Sequence, residues 1–246
     1  MPDKNNKNAS VHTSRTMMYA ELEKVMNYSI EENNYFEALN QNITGKLSNS
    51  GAINTAQYLK KLYRFNIEYP PFIALKYFWK IVEPNCRPLL AFIYAVNHDG
   101  LLVQSIEVVC KSKYGERVPV ENFESNIEYY HPHRFSLKTR KSISQNIASS
   151  WKQAGFIEGK VKNIRVQPDI NYQVACFAFF LAYLNGDRGD FIWRSKGAKA
   201  LCLPESTLRD LAAECNTRDL MLYQSAGEVT TISFNQLLKK TGIDAI

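Results

Sequence analysis

The chain has 246 residues, of which 45% are hydrophobic and 22% charged, so it is long and apolar enough to bury a sizeable core and too apolar to be disordered beyond its ends. Its formal charge of +6 favours polyanionic partners. The five cysteines, Cys86, Cys110, Cys176, Cys202 and Cys215, stand singly with no C-x-x-C pair, which argues for ordinary thiols in a reducing compartment rather than a zinc site or a disulfide framework.

Residues 1–14 are polar, carry no apolar signal region and read as a disordered N-terminus, so the protein is expected in the cytoplasm. From Met17 to Ile30, Met18, Leu22, Val25, Met26 and Ile30 recur at helical spacing. Residues 40 to 54, "NQNITGKLSNSGAIN", read as a loop, after which Asn54 or Thr55 caps a helix carrying Ala56, Leu59, Leu62 and Tyr63. "YPP" at 69–71 punctuates the chain, and the apolar periodicity of 72–82, 88–96 and 102–113 predicts three further helices. A short helix over 119–130 follows, containing Val120, Phe123 and Ile127.

Residues 135 to 159, "FSLKTRKSISQNIASSWKQAGFIEG", form the most informative stretch. Ser136 is positioned as an N-cap, Gly155 as the left-handed stop, and Ile143, Ile147 and Trp151 recur along one face with Leu137, Ala148 and Ala154 close to it. On the opposite face Lys138, Gln145 and Lys152 align with Lys141, Ser142 and Ser149, and no carboxylate interrupts them. An ordinary solvated face mixes Glu with Lys, because i,i+4 ion pairs each add a few tenths of a kcal/mol. Arg140 sits nearer the apolar side, where it either reaches a phosphate from the first turn or packs its stem. Next comes "FIEGKVKNIRVQP", a hairpin pattern with Lys160, Lys162 and Arg165 expected outside. Between Arg134 and Arg165 eight basic residues face the single acid Glu158, a local excess of +7. Helix, glycine and basic hairpin is the order of a winged helix-turn-helix, whose helix enters the major groove while the wing touches backbone.

The candidate DNA-contacting set is therefore Ser136, Lys138, Arg140, Lys141, Gln145, Ser149, Lys152, Lys160, Lys162 and Arg165. If about six of these cations meet phosphates, log K falls against log salt with a slope near −5. His131 and His133, Asp187 and Asp190 lack the company of further ligands and read as loop residues, so no metal or cofactor is expected. No P-loop, G-x-S-x-G or H-E-x-x-H occurs, and an enzyme is not expected. The apolar run at 174–184 is too short to span a bilayer and reads as a buried helix. The tail repeats the theme weakly, with a helix over 204–214 and a hairpin around Ala226 and Gly227, but its Glu205, Asp210, Glu214, Asp219 and Glu228 suit nucleic acid poorly.

The resulting expectation is a mainly α protein: a helical domain over 15–114, a winged helix-turn-helix-like module over 115–168 and a C-terminal α+β region over 169–246 whose weak repeat of the theme reads as a second such module. The segment "LSNSGAINTAQYLKKLYRF" near 47–65, the apolar helical middle, and above all "FSLKTRKSISQNIASSWKQAGFI" with "KVKNIRVQP" resemble the BrxA proteins of bacteriophage-exclusion (BREX) defence systems. The resemblance implies a small, cytoplasmic, mostly helical, non-enzymatic protein that binds double-stranded DNA, and the lack of a spanning apolar run argues against membrane association. It implies action in anti-phage defence beside a methyltransferase, a phosphatase-like protein and a large ATPase. A protein–protein adaptor with a basic docking face, or a winged-helix transcriptional or plasmid regulator, would share much of the pattern.

Overall fold

The computed structural model describes residues 10–159, 162–227 and 229–243. The chain is mainly helical, with two small hairpins. A 3-10 turn at Val11–Thr13 leads into α1 (Tyr19–Ser29), α2 (Tyr35–Asn40) and α3 (Asn49–Tyr63). The expected loop at 40–54 is shorter than its composition suggested. Ser48 caps α3 by accepting the Gly51 N–H, so the helix absorbs "NSGAIN" instead of starting at Asn54 or Thr55. Residues 10–14 are ordered rather than disordered: Val11 and His12 are buried. Residues 1–9 lie outside the described residues.

Helix α4 (Pro70–Ile81) begins at the proline pair and α5 (Arg87–His98) at Pro88, where a missing N–H costs nothing. The helix expected over 102–113 is two short pieces, α6 (Gly100–Gln104) and α7 (Ile106–Cys110). Every residue of α5 from Leu89 to Val96 is buried, and α10 (Tyr172–Leu184) is buried nearly all round. A helix apolar on all sides must be central. Accordingly α10 packs on α4 and α5, and one continuous hydrophobic cluster runs from Val11 to Ile243 across the expected boundaries at 114 and 168. Among the described residues no single helix is long and apolar enough to cross a membrane.

Helices α8 (Val120–Tyr130) and α9 (Leu137–Gln153) pack closely on each other. After α9, β1 (Ile157–Glu158) pairs antiparallel with β2 (Ile164–Arg165), and Arg117, just ahead of α8, bridges to Ile164 on the other side of β2. The backbone bonds Gly115 N–H to Arg165 O (2.9 Å), Arg165 N–H to Glu116 O (2.8 Å) and Val118 N–H to Asn163 O (2.7 Å) close this edge. Farther along, α11 (Lys196–Ala200) and α12 (Glu205–Thr217) precede the hairpin of β3 (Leu222–Ala226) and β4 (Val229–Ser233), and α13 (Asn235–Thr241) follows.

Gly155 has φ +83°, and a Cβ added there would lie 3.4 Å from the Pro168 side chain. Gly155→Ala is expected to cost about 1–2 kcal/mol, from left-handed backbone strain, as urea denaturation would record. Unchanged stability would mean that this turn is not held as described.

The cysteines divide. Cys86, Cys176 and Cys215 are buried thiols, as their spacing suggested. Cys110 and Cys202 are joined in a disulfide across a sequence separation of 92, with Cα atoms 4.9 Å apart. This corrects the expectation that no cysteines pair. The spacing signal fails because the two partners meet only when α7 packs on α11. Alkylation of free thiols at lysis, followed by mass spectrometry of the 110 and 202 peptides, should recover the linked pair.

Candidate nucleic-acid interface

Helix α9 is built as its sequence implies. Ser136 accepts the Thr139 N–H (3.2 Å), and Ile143, Ile147, Ala148 and Trp151 are buried. Trp151 lies 4.5 Å from Phe92 between ring centroids, and its indole N–H donates to Ser105 Oγ (2.8 Å). This seats the helix on α5 and α6. On the far side Lys138, Lys141, Ser142 and Gln145 are exposed, with Ser149 and Lys152 half-buried. Among the described residues no carboxylate forms an ion pair with Lys138, Lys141 or Lys152. The basic row therefore keeps its charge available to solvent.

Two candidates fall outside this row, and one residue expected to pack does not. Arg140 is ion-paired with Glu128 of α8, so its charge is already answered within the fold. Leu137, expected near the packing face, is 73% exposed in the first turn. Arg165, expected on the outer side of the hairpin, is 5% exposed. Its guanidinium donates to Val109 O (3.1 Å), Val166 O and Gln167 Oε1 (2.7 Å) and lies over the Phe156 ring. Burial lowers its pKa, but three of its donors meet these carbonyls, and the side chain is turned away from solvent. Lys162 is exposed, while Lys160 lies outside the described residues.

The sequence offered no sign of what holds the other flank of α9. His12 Nε2 is 2.9 Å from Ser150 Oγ, and its Nδ1 is 3.0 Å from Asp99 Oδ2, in an approach aligned as an ion pair rather than a hydrogen bond. Ser150 Oγ also accepts the Met17 N–H (2.8 Å) and donates to Asn146 O (3.1 Å). Asn146 Nδ2 returns a bond to His12 O (3.1 Å), and Gln153 Oε1 accepts the Tyr19 N–H (3.0 Å). Asp99 accepts from Ser10 Oγ (2.6 Å), Val11 N (2.8 Å) and Leu102 N (3.2 Å). Burial opposes its charge, but His12 and these donors hold its carboxyl below the usual carboxylate range.

Asp99, His12 and Ser150 stand in the order of a hydrolytic relay. Ser150 and His12 are 0% exposed and Asp99 2%, and the serine oxygen is fully engaged by the protein itself. The arrangement is a clasp that ties residues 10–19 and the start of α6 to α9. His131 Nε2 meets Gln104 Oε1 (2.9 Å), and Asp190 accepts from Trp193 and Arg209, so these expected loop residues serve internal bonding.

The exposed side of α12 carries Glu205, Asp210 and Glu214, of which Glu205 pairs with Arg209 and Glu214 with Arg218, so the second helix-and-hairpin unit mixes acid with base where the α9 face is free of acid. No protein-family model matches the chain, and no curated protein matches it significantly.

Proposed function

We propose that this chain is a non-enzymatic accessory protein that binds double-stranded DNA through the exposed face of α9. In this reading α8 and α9 are the helix-turn-helix, the β1–β2 hairpin is the wing, and the Arg117–Ile164 bridge stands where a winged helix carries a third, edge strand. The observation that carries the reading is the acid-free row of Lys138, Lys141, Gln145 and Lys152 on a helix whose opposite side and flank are already committed to packing and to the His12 clasp. Lysines interleaved with serine and glutamine suit phosphate contacts with occasional base-edge contacts. The likeness to BrxA proteins extends the proposal to a BREX-type anti-phage system, with a methyltransferase, a phosphatase-like protein and a large ATPase as partners. A cytoplasmic location rests on the polar start of the chain and on that likeness, and the Cys110–Cys202 bond weighs against it, since cytosolic thiols are kept reduced.

With Arg165 buried and Arg140 paired, the cations left available among the described residues are Lys138, Lys141, Lys152 and Lys162. These four lysines supply about −3.6 of the salt slope, at roughly 0.9 per contact, against near −5 for about six cations. Fluorescence anisotropy of a random-sequence duplex across a salt series reads it directly. No binding at low salt would sink the DNA reading.

Leu137 favours a second reading. An exposed leucine beside Lys138 and Lys141 also suits a protein partner with an acidic rim and an apolar pocket. That adaptor would co-purify with one partner, lose it on Leu137→Ser, and bind DNA no better than other proteins of similar charge.

A further inference from the structure

Between the end of α3, the start of α6 and the turn from α8 to α9 lies a cavity of about 620 Å³, within the size range of small-molecule sites. Its wall includes Lys61, Arg64, His98, Gln104, His131 and Arg134. Among the described residues neither the lysine nor either arginine is ion-paired. The carboxylate in the wall, Asp99, is engaged at both oxygens, by Ser10 and Leu102 on one and by Val11 and His12 on the other. The cavity therefore carries an uncompensated positive charge.

Each of its arginines, though exposed, lies over an aromatic ring. The Arg64 guanidinium sits 5.0 Å from the Tyr69 ring centre and that of Arg134 5.3 Å from Phe135, which orients two planar forks. Gln104 uses its carbonyl on His131, and its amide N–H groups have no partner among the described residues.

The backbone under Arg64 is costly. Arg64 has φ +62° and Phe65 φ +49°, and Phe65 N–H closes a γ-turn onto Tyr63 O (2.7 Å). Two consecutive non-glycine residues in the left-handed region persist only where surrounding structure enforces them, and such strain concentrates at ligand sites. Here it carries Arg64 to the cavity wall and Phe65 into the core. Gly100 also lines the cavity, and nothing stands within 4 Å of where its Cβ would be.

We propose that this cavity binds a phosphate-bearing ligand of nucleotide size, its phosphates on Arg64, Arg134 and Lys61. Arginine forks match phosphate oxygens two at a time, and the volume leaves room for a nucleoside beside Phe135. The phosphate can come from a free nucleotide or from a DNA backbone passing the α8–α9 turn. The proposal does not rest on the α9 face.

The test compares the wild type with Arg64→Ala/Arg134→Ala, with Gly100→Met, which fills the space without touching a cation, and with Lys138→Glu/Lys152→Glu. Calorimetric titration with ATP and with pyrophosphate, and anisotropy with a labelled duplex, are run on all four, and circular dichroism verifies folding. Binding of ATP or pyrophosphate that is lost in the first two variants and retained in the third assigns a free phosphate ligand. If neither free probe binds, duplex binding weakened tenfold or more in both cavity variants assigns the DNA backbone. The proposal is overturned if the cavity variants match the wild type in every titration. Failure of the α9 reading would appear separately, as wild-type duplex affinity in the lysine variant.

Discussion

Replacing Asp99 with alanine should lower the unfolding free energy by about 3–5 kcal/mol, the usual cost of removing one partner from a buried ion pair. His12 and Asp99 have side chains only 0% and 1% exposed, so the imidazole edge that faces Asp99 would be left without water or a partner, with only Nε2 still held by Ser150. The same substitution strips the acceptor from Val11 N–H and Leu102 N–H and the partner from Ser10 Oγ. Urea denaturation measures the loss through the midpoint at constant slope. The double variant Asp99→Leu/His12→Leu should recover much of it, because replacing both members of a buried pair with apolar groups is often close to neutral. A loss below about 1 kcal/mol for the alanine variant would show that the clasp does not secure the N-terminal segment.

The clasp also sets an acid dependence. Asp99 has a folded-state pKa below the roughly 3.9 of an unfolded aspartate, so its contribution to stability is fully present above about pH 5. It is lost as pH falls through 4 toward the depressed folded value. The stability gap between wild type and Asp99→Ala should therefore narrow steadily on acidification below about pH 4. Because Ser150 and Asn146 belong to α9, loosening the clasp frees the flank of the helix proposed to meet DNA.

Lys138→Glu/Lys152→Glu should weaken duplex binding by at least about 60-fold at 0.1 M salt. Each phosphate contact contributes roughly 0.9 to the salt slope, which at 0.1 M corresponds to about eightfold in affinity, and two contacts multiply. The slope should flatten by about 2, from about −3.6 toward −1.8. Both side chains lie on the solvent side of α9 and neither is ion-paired among the described residues, so folding should survive, as circular dichroism can verify. Gln145→Ala should alter affinity only for particular sequences, if Gln145 contacts bases. Wild-type affinity in the double charge reversal would remove the α9 face from consideration.

Most of the helices were legible because their signal is local. The cap at Ser136, the stop at Gly155 and the four-residue recurrence of Ile143, Ile147 and Trp151 are all properties of neighbouring residues, and the helix they describe runs from Leu137 to Gln153. The same locality explains the failures. Asn-, Ser- and Gly-rich composition marked 40–54 as loop, yet one serine hydroxyl at 48 was enough to start α3 early. In the hairpin, side-chain direction depends on register, and Arg165 turned inward onto the carbonyl of Val109, a residue far away in the sequence.

The sequence by itself determined the mainly helical class, the burial of α10, and the basic, acid-free face of α9, since periodicity and charge are written along the chain. Only the tertiary structure decided which charges remain available. It buried Arg165, paired Arg140 with Glu128, and joined Cys110 to Cys202. It also placed His12 between Asp99 and Ser150, and Arg64 and Arg134 around one cavity. Each of these pairings joins residues from different elements, and a contact between side chains remote in sequence leaves no local pattern to read.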